Sequence, residues 1–169
     1  LNYASGGVGS SAHMSMELFK NQAGLDILHI PYRGTPALAQ AVISGEAPIA
    51  FANLVNVMPY IQRGEIKLLA VTSMQRHADL PQVPTVNESG LAGFETLAWN
   101  GILAPKGTPE AIRQRLWDEL NELKGDATLN DRIRLLGGTL VVSTPQEFQA
   151  RLDEDIAKWK RLATAANIQ

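Results

Sequence analysis

Leu1-Asn2-Tyr3-Ala4-Ser5-Gly6-Gly7-Val8-Gly9-Ser10-Ser11-Ala12-His13-Met14 decides the fold. An apolar stretch, Leu1–Ser5, runs into a cluster of glycines. Beyond them Met14, Leu18 and Phe19 stand at helical spacing, with Gly24 as terminator, so the pattern predicts a helix over Ser11–Ala23. Strand, glycine turn and helix in immediate succession form half of a parallel strand–helix–strand unit.

The chain repeats this plan downstream. Asp26–Ile30 reads as a strand. Thr35–Ser44 reads as a helix, with Thr35 as N-cap, Pro36 at the first helical position and Gly45 just past the end. Ile49–Ala52 is a third strand. Asn53–Gln62 is helix-like, and Pro59 inside it predicts a kink or a late start. Ile66–Thr72 is a fourth strand. The alternation predicts an α/β class with a largely parallel sheet. From Ser73 to Gly93 the periodicity fades into loop, with one helical turn after Pro84. Phe94–Pro105 reads as extended and suited to carry the chain between two lobes. The remainder is helical: Thr108–Lys124 with Ile112, Leu116, Leu120 and Leu123 on one face, and Thr128–Leu136 ended by Gly137-Gly138. A short strand, Thr139–Val142, precedes a last helix. That helix opens on Thr144-Pro145-Gln146-Glu147, a capping box with proline at its first position. Phe148, Leu152, Ile156, Trp159, Leu162 and Ala166 form its apolar stripe.

Composition excludes several classes. The 169 residues are 45% hydrophobic and 19% charged, an ordinary globular balance. Lys plus Arg is 15 against 17 for Asp plus Glu, and no basic run is present, so nucleic acid is not an expected partner. There is no cysteine, which removes disulfides, thiolate metal sites and a cysteine nucleophile. No apolar run approaches the roughly 20 residues that cross a bilayer. The sequence begins within a strand and without an initiator Met, which predicts a piece of a longer polypeptide.

Chemistry concentrates at the strand-to-helix junctions. A helix start carries unpaired N–H groups and about half a positive charge, so an anion is welcome there. Ser5, Gly6, Gly7, Gly9 and Ser10 give such a junction close backbone approach and hydroxyl donors. The segment lacks the Gly-Lys-Ser/Thr of a P-loop and the third glycine of a dinucleotide fingerprint, and a small carboxylate suits it better than a nucleotide. The plainer reading is a tight turn capped by Ser10. His13 lies in the first turn of the helix, where its ring can lean toward the loop mouth, or simply pack. The 3 histidines show no metal-ligand spacing, and no metal or cofactor is expected. In open α/β sheets ligands bind beyond the carboxyl ends of the strands. Arg33, in Ile30-Pro31-Tyr32-Arg33-Gly34-Thr35-Pro36, falls on that rim as a carboxylate partner or a solvated arginine. Asn53 ends the next strand on the same rim, as ligand contact, helix cap or both.

Taken in order, Ser5-Gly6-Gly7-Val8-Gly9-Ser10-x-x-His13, Ile30-Pro31-Tyr32-Arg33-Gly34, Leu69-Ala70-Val71-Thr72-Ser73, Leu80-Pro81-x-Val83-Pro84-Thr85, Trp99-x-Gly101 with Ala104-Pro105-x-Gly107-Thr108-Pro109, and Ser143-Thr144-Pro145-x-Glu147-Phe148 with Lys158-Trp159 closely resemble the Bug family. These are periplasmic substrate-binding receptors of tripartite tricarboxylate transporters. The resemblance implies a type II periplasmic-binding-protein fold, here one lobe nearly complete plus the C-terminal part of the other. Residues 1–95 would form the second α/β lobe, which carries the ligand loop, and 96–169 the mainly helical part of the first. It implies a small organic carboxylate held at the junction with Ser5, Gly6, Gly7, Gly9, Ser10 and His13, to which the rim reading adds Arg33 and Asn53, a periplasmic location, and membrane subunits of the transporter as partners. Ala52 stands where the family pattern often has Asp, which argues against a polar role at that position. With the upstream part absent, the chain by itself is expected to self-associate, to pair with the missing piece or to arrange its C-terminal helices differently, and to bind a ligand weakly or not at all. Two other readings are an effector-binding module of a transcriptional regulator and a small-carboxylate enzyme using His13 as base.

Overall fold

The computed structural model describes residues 1–166 and 168. The chain packs as two units, Leu1–Ala98 with Trp159–Gln169, and Trp99–Lys158.

The first unit is built on a three-stranded parallel sheet, β1 (Asn2–Ser5), β2 (Leu28–Pro31) and β3 (Ile49–Ala50), in the order β2-β1-β3. Asn2 to Ser5 lie opposite Leu28 to Pro31, and Tyr3 and Ala4 opposite Ile49 and Ala50. Helices α1 (Ser11–Ala23), α2 (Gly34–Ile43) and α3 (Leu54–Gln62) follow the three strands. Successive strand residues face opposite sides of a sheet, and β1 is buried on both. Ala4 packs with Leu38, Ala41 and Ala47, while Tyr3 packs with Met16 and Ile27. Full burial of side chains such as Leu38 and Met16 contributes about 1.5–3 kcal/mol each. Phe19, Phe51 and Phe94 form a ring cluster, with Phe94 edge-on to Phe19 at 6.0 Å.

The helix entries differ in cause. Ser10 caps α1, its Oγ accepting from the His13 N–H, and Gly24 closes the helix at φ 64°. Thr35 does not cap α2, contrary to the sequence pattern. The helix starts at Gly34 with Arg33 in the cap position and no side-chain cap bond. Gly34, at φ 82°, donates its N–H to the carbonyls of Gly6 and Tyr32, so a tertiary bond to the glycine loop sets this entry. Pro59 sits inside α3.

The fourth expected strand, Ile66–Thr72, does not form. Only Val71 makes a bridge, parallel to Thr85, and Leu69 is 62% exposed. A strand exists by virtue of its neighbour, and residues 66–70 meet none among the described residues. After Pro84, Thr85 and Glu88 exchange bonds: the Glu88 N–H donates to Thr85 Oγ1 and the Thr85 N–H to the Glu88 carboxylate. This secures the single turn that the sequence suggests there.

The second unit holds α4 (Glu110–Leu123), α5 (Ala127–Leu135) and most of α6 (Pro145–Ala165). Asp126 caps α5, and Thr144 and Glu147 form the expected capping box of α6. Trp99 meets Phe148 edge-on at 5.3 Å and donates its indole N–H to Asp155. Residues 139–142 form no strand, for the same lack of a neighbour.

Candidate functional site

Because β1, β2 and β3 are parallel, their carboxyl ends share one edge of the sheet. The segments Gly6–Ser10, Tyr32–Arg33 and Phe51–Asn53 therefore line one rim, where open α/β sheets take ligands. The first two touch: Gly6 packs against the Gly34 backbone, where a Cβ on Gly6 would sit 3.6 Å from Gly34.

The glycine loop is held from below by side chains. Ser5 is fully buried, and its Oγ accepts from the Gly7 N–H at 3.1 Å. The same oxygen lies 2.6 Å from His29 Nε2. The Gly9 N–H donates to His13 Nδ1 at 3.0 Å, and the Ser10 N–H to the Gly7 carbonyl at 3.2 Å. The N–H groups of Gly7, Gly9 and Ser10 are thus spent inside the loop. The glycines at 7 and 9 therefore give close approach without offering their own N–H groups. Ser11 and Ala12 open the helix, where N–H groups have no intrahelical acceptor. They and the hydroxyls at the helix start are what the loop has to offer an anion.

Each residue singled out in the sequence has a definite place. Gly7 and Gly9 adopt φ 126° and 74°, which side-chain-bearing residues rarely reach. His13 is 5% exposed, with its Nδ1 lone pair engaged by Gly9, so its ring supports the loop rather than leaning out of it. Asn53 begins α3 without capping it; its Oδ1 accepts from Ser11 Oγ at 3.5 Å, tying the third junction to the first. Arg33 is exposed beside Gly34. A depression of about 260 Å³, lined by Thr35, Pro36, Asn56 and Tyr60, lies at the starts of α2 and α3. A larger one of about 550 Å³ between Ile61, Ile66 and Pro84 is lined mainly by apolar side chains, with Lys67 and Gln82 among them.

Sequence reading missed the group beneath the loop. His13 and His29 stack at 3.9 Å, and Tyr3 stacks on His29 at 4.9 Å. Tyr3 donates its hydroxyl to Glu17, which also pairs with Lys20 at 2.7 Å. The signal was the parallel register, which sets His29 beside Tyr3 and on the face shared by Ser5 two residues on.

Burial dominates the electrostatics of this group. It pushes His29 down to about 4, with His13 adding to the effect, and it lowers His13 as well. Burial works against the charge of Glu17, but the bonds from Lys20 and Tyr3 outweigh it and hold that carboxylate below its usual range. Both imidazoles are therefore neutral at pH 7. In the folded state they resist a proton that the unfolded chain accepts near pH 6.5, so the unfolded state binds more protons as pH falls. Stability is complete above about pH 6.5 and is lost toward about pH 4, the folded value of His29. Partial exposure keeps the loss below the limit of about 1.4 kcal/mol per pH unit. Thermal melts are expected to hold from pH 7 to about pH 6.5 and then fall toward pH 5; a flat profile would contradict the neutral pair.

Residues 1–168 match the family described as tripartite tricarboxylate transporter family receptor (TctC). A UPF0065 protein from the tcbD-tcbE intergenic region of Pseudomonas sp. (strain P51) is 32% identical over 163 residues, 96% of this chain and 48% of that protein. The chain spans about half the length of the curated relatives it matches. Among solved structures, R. palustris Rpa4515 with adipate superposes with a TM-score of 0.90 at 33% identity, over 99% of this chain and 56% of that one. The periplasmic binding protein BugD superposes with a TM-score of 0.83 at 28% identity, over 100% of this chain and 57% of that one.

Proposed function

The chain belongs to the tripartite tricarboxylate transporter receptor family, and from that premise we propose that the protein binds a small organic carboxylate and delivers it to a tripartite membrane transporter. The fold is the α/β architecture of type II periplasmic binding proteins of the Bug type, in the part that this chain spans. The observation that carries the reading is the glycine loop: a helix start capped by Ser10, at the carboxyl edge of a parallel sheet, in a chain that superposes on a protein solved with adipate. The ligand's carboxylate sits at the N-terminus of α1, met by Ser10 and the free N–H groups of the first turn, with Gly6, Gly7 and Gly9 giving close approach. Arg33 and Asn53 face it from the two neighbouring junctions.

In this reading residues 1–95 belong to the lobe that carries the ligand loop and 96–169 to the other. The protein works in the periplasm, and the transporter's membrane subunits are its partners. A receptor role asks only for closure on the ligand. A base at position 13 is disfavoured, since its Nδ1 lone pair already serves Gly9. Among the described residues no helix is long and apolar enough to cross a membrane.

Calorimetry of the intact gene product against mono-, di- and aromatic carboxylates tests the proposal. One class is expected to bind, without chemical change to the ligand by mass analysis. Replacing Ser10 and His13 together by Ala removes the hydroxyl offered to the ligand and the support of Gly9, and is expected to weaken binding by roughly 1–3 kcal/mol, the scale of charge-assisted hydrogen bonds. Unchanged affinity in the double variant would remove the loop from the site. Sedimentation of the 169-residue chain in the same buffer reads self-association, which the exposure of Ile102, Leu103, Val141 and Ile156 supports.

A further inference from the structure

We propose that His29, which lies below the rim, is a positioning residue that fixes the shape of the ligand loop through Ser5 and His13. The assignment rests on the loop being the carboxylate junction, and it adds a residue that neither the family pattern nor the rim geometry singles out. Three contacts carry it. His29 Nε2 lies 2.6 Å from Ser5 Oγ, the atom that takes the Gly7 N–H. The imidazole stacks at 3.9 Å on His13, whose Nδ1 takes the Gly9 N–H. Tyr3, itself fully buried and anchored to Glu17, stacks on the same imidazole at 4.9 Å. Both φ-positive glycines of the loop are therefore set by side chains that His29 touches, one by a hydrogen bond and one by a ring face.

The chemistry explains why an imidazole stands there. Ser5 is buried, so its hydroxyl needs partners within the protein. Gly7 occupies one side of that hydroxyl, and His29 supplies a group that satisfies the rest. The flat ring also packs on both His13 and Tyr3, and the contact with His13 holds its lone pair in line with Gly9. A phenyl ring would keep the stacking but leave Ser5 with only its two bonds to Gly7, to the carbonyl and from the N–H. An amide at the end of a glutamine would reach Ser5 but would not stack.

The test separates these two contributions. In the intact protein, His29→Phe and His29→Gln are compared by amide exchange at Gly7, with Leu38 in α2 as the internal reference, and by adipate affinity. His29→Phe is expected to speed Gly7 exchange roughly tenfold while Leu38 is unchanged, and to weaken adipate by about the same factor. His29→Gln is expected to bring Gly7 exchange back toward the native rate. A merely structural role would move Leu38 together with Gly7, or leave both variants equal, and either result would overturn the assignment. Should His29→Phe fail to fold, His29→Leu removes the same link and must speed Gly7 exchange while Leu38 is unchanged. If the native protein binds neither adipate nor any other carboxylate, the receptor reading falls, while Gly7 exchange still decides the role of His29.

Discussion

Phe94→Ala is expected to destabilise the protein by about 3–5 kcal/mol, the usual cost of truncating a fully buried phenylalanine. Phe94 has no solvent exposure, and its ring meets Phe19 at 6.0 Å and Phe51 at 6.1 Å. Those partners come from α1 and from the end of β3, so the ring ties a long loop to the sheet and its first helix. Truncation removes the buried area and leaves a cavity lined by two aromatic rings that cannot both collapse into it. Domains of this size carry about 5–15 kcal/mol in total, so the variant sits close to the unfolding threshold. Urea unfolding should show a lower midpoint with an unchanged slope. A loss below about 1 kcal/mol would mean that the ring cluster relaxes freely and does not hold the loop.

Gly7→Val is expected to lower affinity for the carboxylate proposed above by roughly tenfold to a hundredfold, the equivalent of about 1–3 kcal/mol of backbone strain. Gly7 lies at φ 126°, and both its peptide groups are in use: its N–H donates to Ser5 Oγ and its carbonyl accepts from Ser10. A β-branched residue cannot hold that conformation without strain, so the loop leaves the shape that presents the start of α1. Gly24→Ala is the matched control. Gly24 also has a positive φ, 64°, but it closes the far end of α1. It should cost stability and spare affinity. Equal affinity losses in the two variants would mean that strain acts through global stability and not through the loop.

The element pattern of the first half was legible because local rules act alone there. Helix α1 has the bounds that Met14, Leu18, Phe19 and the Gly24 stop predict, and Ser10 caps it as its side chain allows. The capping box at Thr144 and Glu147 is equally local. Where a segment depends on a neighbour, the sequence misled. Residues 66–72 and 139–142 have strand composition, but a ladder needs a second chain segment at hydrogen-bonding distance, and composition cannot supply one. Thr35 looked like a cap, but the Gly34–Gly6 bond set the entry of α2 first.

The candidate site divides along the same line. By itself the sequence determined the α/β class, the family and the junction at Ser5–His13, because glycine spacing, capping residues and ordered motifs are properties of contiguous residues. Only the tertiary structure decided what those residues do. Parallel pairing of β1 with β2 brought His29 against Ser5, 24 positions away, pairing of β1 with β3 brought Asn53 within reach of Ser11, and His13 turned inward to serve Gly9. Strand register fixes which side chains share a face, and it is set by burial of β1 between two helices. That is a balance over the whole sheet, which no single stretch of sequence contains.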